Sequence, residues 1–90
     1  MSIKLNIHSA LRHLVDNKSV IEVNGTTVGE CLKDMIRQYP AVERSLFNQQ
    51  GKLLNYVDIY VNLQSAFPEE LAKPVKDGDE MQIVLMIAGG

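Results

Sequence analysis

Only one stretch of this chain carries a full helical signature, and it is closed at both ends. Thr27-Val28-Gly29-Glu30 fits a capping box: the Thr27 hydroxyl is placed to accept a first-turn amide, and Glu30, three residues on, reaches back to it. Val28, Leu32, Met35, Ile36 and Tyr39 then recur on one helical face, with Lys33, Asp34 and Arg37 on the other. Pro40 disfavours helical geometry at Tyr39 and marks the end. A second helical turn over residues 42–47 is too short to act as another layer. Whatever sheet the chain forms therefore has one main helix to cover it.

The remaining segments read as strands and turns. Ile3, Leu5 and Ile7 alternate with Lys4, Asn6 and His8, the period of a strand with one buried face. Residues 9–14 read as a loop or short turn. Residues 19–23 are rich in β-branched side chains and stop at Asn24-Gly25, so the opening is expected to be a hairpin with a long connection. Gln49-Gln50-Gly51 is a turn, and Val57, Ile59 and Val61 alternate with Asp58, Tyr60 and Asn62 as a third strand. Residues 67–71 suit a loop with a single helical turn. Lys73-Pro74-Val75 predicts a short edge strand, because proline cannot donate to a ladder. After the turn Lys76-Asp77-Gly78-Asp79, residues 80–87 form the last strand, apolar towards its end and expected to be buried on both faces at the sheet centre. This β-β-α-β-β order predicts an α+β protein, a β-grasp (ubiquitin-like) mixed sheet packed on one main helix. A ferredoxin-like sheet needs a second full helix.

Ninety residues make one domain, and 46% hydrophobic with 22% charged residues is enough to form a core. At this size folding hides only about 60–65% of the unfolded surface, which leaves little room for a deep active site. Nine Lys and Arg against eleven Asp and Glu give a net charge of −2, with the basic residues scattered. The footprint of a nucleic-acid binder is missing. The longest apolar run, residues 83–88, falls far short of the roughly 18 residues of a membrane span, and residues 1–6 lack the apolar stretch of a secretory signal. These features predict a cytoplasmic protein with neither membrane nor nucleic acid as partner. A single cysteine, Cys31, fits a reducing compartment.

Side chains offer little chemistry. His8 and His13 have no Cys, Asp or Glu at ligand spacing and read as ordinary imidazoles, so no metal site is expected. Cys31 lies between Val28 and Met35 and reads as a small packing residue. Glu69, Glu70, Asp77 and Asp79 read as solvated loop carboxylates. No nucleophile–base pair or phosphate-binding glycine loop is present, and no catalytic residue is assigned. What is left is Ala88-Gly89-Gly90, following the last strand. Residues 1–87 are read as the β-grasp domain and 88–90 as a flexible Gly-Gly tail. Glycines lack the bulk that would keep a chain out of a narrow channel, and three residues reach about 10 Å. The Gly90 carboxyl is then the candidate reactive group.

At these residues the chain resembles the ThiS/MoaD-type ubiquitin-like sulfur carriers. Thr27-Val28-Gly29-Glu30-Cys31-Leu32 is similar to the start of their helix, Val57-Asp58-Ile59-Tyr60-Val61-Asn62 to their third strand, and Val75-Lys76-Asp77-Gly78-Asp79 to their last turn. Ala88-Gly89-Gly90 matches their tail, and Gly51-Lys52-Leu53 leading into Tyr56 is closest to the CysO branch, which serves cysteine synthesis. Molybdopterin-synthase small subunits usually have prolines just before the tail, where this chain has Leu85-Met86-Ile87. The resemblance implies no bound cofactor. It implies instead that an ATP-dependent adenylating enzyme of the ubiquitin-activating type activates the Gly90 carboxyl, which sulfur then converts to a thiocarboxylate. Gly89 and Ala88 would lend clearance for threading. The sulfur would pass to a cysteine-synthase-like enzyme, a molybdopterin-synthase large subunit or a thiamine-forming enzyme. The sheet face beside the last strand is expected to dock partners, with Leu54, Leu85 or Ile87 as contacts. A ubiquitin-like modifier joined through Gly90 to lysines, or a non-covalent β-grasp binding module, are the alternatives.

Overall fold

The computed structural model describes residues 2–86. Its strands are β1 (Ser2–Asn6), β2 (Val20–Asn24), β3 (Val57–Val61), β4 (Gln64–Ser65) and β5 (Glu80–Leu85). Its helices are α1 (Val28–Gln38) and the single turn α2 (Glu43–Leu46). The strands form one sheet in the order β2-β1-β5-β3-β4, with β1 and β5 parallel and the other neighbours antiparallel. One helix across a mixed sheet whose last strand lies in the middle is the β-grasp, ubiquitin-like arrangement expected from the pattern.

Alternation along the strands builds the core. Ile3 and Leu5 from β1, Val23 from β2, Ile59 from β3 and Met81 from β5 are fully buried and join Val28, Cys31, Leu32 and Met35 of α1 in one cluster. Each large apolar side chain hidden this way contributes about 1.5–3 kcal/mol. Tyr39 ends α1, its amide donating to the Met35 carbonyl, and Pro40 opens a 3-10 turn.

The start of α1 differs in one contact from the sequence expectation. The Thr27 hydroxyl accepts the Glu30 amide at 3.2 Å, but the Glu30 carboxylate accepts the amide and hydroxyl of Thr26, both at 2.8 Å, rather than the Thr27 amide. Thr26 supplies two donors to one oxygen, a better partner for a carboxylate than a lone amide. Further along, Asp34 ties α1 to the end of β2, accepting from the Asn24 amide at 2.9 Å, from Gln38 Nε2 at 3.2 Å and from the Arg37 guanidinium.

These contacts hold carboxyls below their ordinary values. The Thr26 amide, then its hydroxyl, lowers Glu30 from 4.5. Partial burial pushes Asp34 upwards, but Arg37, the Asn24 amide and Gln38 outweigh it and bring it below 3.8. The Asn62 side chain and the Lys76 amide lower Asp79. A carboxyl more acidic in the folded than in the unfolded state adds stability above its unfolded pKa, and that stability is lost as pH falls through the folded value. The urea midpoint is therefore expected to drop progressively as pH falls below about 4.5, and Asp34→Asn to make that drop shallower.

Residues 9–14 form a short turn as expected, a 3-10 turn over Ser9–Leu14 that buries Leu11. Other expectations change. Lys73-Pro74-Val75 is not a sheet strand and makes only an isolated bridge, Thr27 with Pro74, because it packs beside the start of α1 rather than at the sheet edge. The edge is instead β4, where Asn62 and Leu63 take positive φ (50° and 70°) and turn the chain straight back onto β3. β5 is central but is not buried on both faces: Met81 and Ile83 are buried while Gln82 and Val84 are half-covered, since α1, the only long helix among the described residues, lies on the other side. Of the last strand's expected span, Met86 lies just outside β5 and Ile87 lies outside the described residues.

Candidate functional site at the root of the tail

The expected reactive residue Gly90, with Gly89 and Ala88, lies outside the described residues, so the structure speaks to the place from which they depart. β5 is paired with β1 over residues 80–82 and with β3 over residues 81–85, ending with Leu85 opposite Val57. One further bond, from the Met86 amide to the Tyr56 carbonyl at 2.7 Å, carries the hold past the strand end. Four residues follow Met86. Fully extended, they span at most about 14 Å.

Met86 also lines a cleft of about 790 Å³. One wall is the segment 52–55, fixed from beneath by the Leu54 amide donating to Leu46 at 2.8 Å and by the Phe47–Leu53 bridge. The other wall is 67–72, whose 3-10 turn Glu70–Ala72 rests on α1. That contact requires Gly29: a Cβ there would stand 2.9 Å from the Leu71 carbonyl oxygen. Gly29→Ala is expected to lower the unfolding free energy by about 1 kcal/mol in urea titration, because overpacking outweighs the helix-propensity gain.

The cleft is apolar inside and acidic around. Leu53, Leu54 and Leu71 are half-buried against the core, while Phe67 and Met86 stand at the surface, 73% and 53% exposed. Asp58, Glu69 and Glu70 line it, with Lys52 the one cation among the described lining residues. Asp58 is held in place, accepting from the Ile59 amide at 2.9 Å and from Ser65 Oγ at 3.3 Å.

Other singled-out residues fall elsewhere. His8 Nδ1 accepts the Ala10 amide at 3.1 Å and caps the first 3-10 turn, while His13 is exposed in the last part of that turn. Asp77 and Asp79 shape the turn before β5, Asp77 accepting the Ser2 amide at 2.8 Å and Asp79 the Lys76 amide at 3.0 Å. Cys31 is fully buried, and burial, reinforced by the charges of Asp34 and Glu30, pushes its thiol up to about 11. It is a neutral packing group. In a thiol-labelling assay at pH 8, Cys31 is expected to react only once the protein is unfolded. Among the described residues, no three His, Cys, Asp or Glu side chains are grouped to hold a metal, and no helix is long and apolar enough to cross a membrane.

Of the expected docking contacts, Leu54 lines the cleft, Leu85 is half-buried on the core and Ile87 lies outside the described residues. Glu69 and Glu70, read from sequence as merely solvated, border the cleft together. Phe67 and Met86 are given no contact role by the sequence pattern. Phe67 carried a signal: a lone large apolar residue in a polar loop, in phase with no strand or helix.

A family model described as ThiS matches residues 6–90. The chain belongs to the ThiS family. It is 30% identical to the sulfur carrier protein CysO of Mycobacterium tuberculosis, over the full length of both chains. It superposes with a TM-score of 0.88 on a chain of the BexX/CysO complex of Amycolatopsis orientalis, at 29% identity over 98% of this chain and 99% of that one. It is also 28% identical, over 78% of each chain, to small archaeal modifier protein 1 of Haloferax volcanii. It is thus a ubiquitin-like protein of the sulfur-carrier kind, and these relatives are carriers and modifiers by name.

Proposed function

We propose that this ThiS-family chain is a protein co-substrate, with no catalytic residues of its own, whose Gly90 carboxyl is adenylated and then converted to a thiocarboxylate for biosynthesis, cysteine synthesis being favoured. The observation that carries this reading is the 30% identity to CysO over the full length of both chains. The clamped end of β5 supports it, since a firmly held root gives a short tail a defined point of departure.

A carboxylate resists nucleophiles and needs activation. Attack of the Gly90 carboxylate on the α-phosphorus of ATP releases pyrophosphate and leaves an acyl-adenylate. Hydrosulfide then attacks the acyl carbon, displaces AMP and leaves the thiocarboxylate. Where a persulfide attacks instead, the acyl disulfide formed is released as the thiocarboxylate by a second thiol, which is oxidised to a disulfide with the donor. The base, the metal and the oxyanion stabilisation for both steps belong to partner enzymes, and the carrier supplies position. Incubation with the cognate adenylating enzyme, ATP and sulfide is expected to raise the mass by the difference between sulfur and oxygen. No such product would refute the reading. Presenting the loaded carrier to a cysteine-synthase-like enzyme, a molybdopterin-synthase large subunit and a thiamine-forming enzyme identifies the acceptor.

A second reading follows from the similarity to the archaeal modifier protein: the same activated acyl group captured by a lysine amine as an isopeptide. Conjugates in cell extract that disappear when Gly90 is deleted would support it. A purely non-covalent binding module predicts that a residue appended after Gly90 is harmless.

A further inference from the structure

We infer that Asp34 and Gln38 of α1 form a clasp over the β2 edge of the sheet, and that this clasp keeps a second copy of the chain from adding its own β2 strand there. β2 and β4 are the two edges of the sheet, and β4 has only two residues, so β2 is the edge long enough to recruit a strand. Its outward side follows from the register. The Lys4 amide donates to the Asp79 carbonyl, towards β5, while the Ile7 amide donates to the Ser19 carbonyl, so Ile3, Leu5 and Ile7 turn to β2 and occupy Val23, Ile21 and Ser19. The backbone groups of Val20, Glu22 and Asn24 therefore point away from the sheet.

Two of these outward groups are taken by α1. The Asn24 amide donates to Asp34 at 2.9 Å, and Gln38 Nε2 donates to the Glu22 carbonyl at 3.2 Å. Asp34 and Gln38 share one side of the helix and bond to each other at 3.2 Å, with Arg37 holding Asp34 from the next turn. Gln38 is itself exposed, so its contribution here is polar and directed at the strand edge. What is covered is a strand fit to pair with itself. Antiparallel pairing of two β2 strands about Glu22 sets Val20, 43% exposed, against Asn24 of the other copy and closes the outward groups in a ladder. Its one like-charge pair, Glu22 against Glu22, is offset by Lys4, which lies opposite Glu22 within each copy. With the Asn24 amide and the Glu22 carbonyl already occupied, most of that ladder cannot form.

The test is sedimentation equilibrium of the full chain over about 10–500 µM. Combined Asp34→Ala and Gln38→Ala is expected to dimerise at least about tenfold more tightly than wild type, since freeing these backbone groups in each copy restores several hydrogen bonds. Adding Val20→Lys to that variant is expected to return the monomer, because an edge lysine opposes strand pairing. Hydrogen exchange locates the contact: the Glu22 amide is expected to gain protection as the variant's concentration rises. Urea titration shows which variants are folded. Should the combined variant not fold, Gln38→Ala alone, at an exposed position and favourable to the helix, is expected to shift the equilibrium about threefold in the same direction. A folded variant no more dimeric than wild type overturns the clasp, as does a dimer that Val20→Lys leaves intact. Neither result touches the reading of Gly90.

Discussion

Deleting Gly90 is expected to cut thiocarboxylate formation by more than about 100-fold while leaving the urea midpoint where it was. The deletion pulls the carboxyl back by one residue, about 3.5 Å, and a displacement of even 1 Å at a reacting centre can cost about 100-fold. The Met86–Tyr56 bond and the β3–β5 ladder hold the root of the tail, so the domain cannot easily follow to restore the reach. The folded core ends before that point: Met81 and Ile83 are its last buried side chains among the described residues. Stability is therefore indifferent to the deletion. Mass spectrometry after loading, beside urea titration of the same preparation, checks both halves. Loading at the wild-type rate would show that the carboxyl position is not what the enzyme reads.

The second large effect is on stability. Leu32→Ala is expected to cost about 2–5 kcal/mol and to lower the melting temperature by about 10–20 °C or more, measured by calorimetry. Leu32 is fully buried in the cluster between α1 and the sheet, and among the described residues no second long helix is present to close over the resulting cavity. Because α1 also supports the Glu70–Ala72 wall of the cleft, a loosened helix is expected to disturb the surface around the tail as well.

The single capped helix and the two-residue period of β1 and β3 were legible in the chain because each is a local pattern. Burial on one face leaves a period in the residues, and a cap needs its donor and acceptor only three positions apart. The centrality of β5 was legible from its apolar end, yet the half-covered Gln82 and Val84 were not, since how much lies above a sheet is a property of the whole fold. The exchange of edge strands has a similar cause. Two residues, Gln64 and Ser65, carry too short a pattern to be read, whereas 73–75 had the composition of an edge but was drawn to α1 by bonds with Thr26 and Val28.

The candidate site divides along the same line. The expectation that the main-chain carboxyl of Gly90 is the reactive group comes from the sequence, because no side-chain chemistry competes and a resemblance names the tail. The surface that surrounds its root does not. Lys52, Asp58, Glu69, Glu70, Phe67 and Met86 come from four separate stretches of the chain and meet only when β3, β5 and the two flanking loops pack together. Local order lies within reach of neighbouring residues, so sequence determines it. A cleft is made by segments distant in the chain, and only their packing decides which charges and apolar groups it presents.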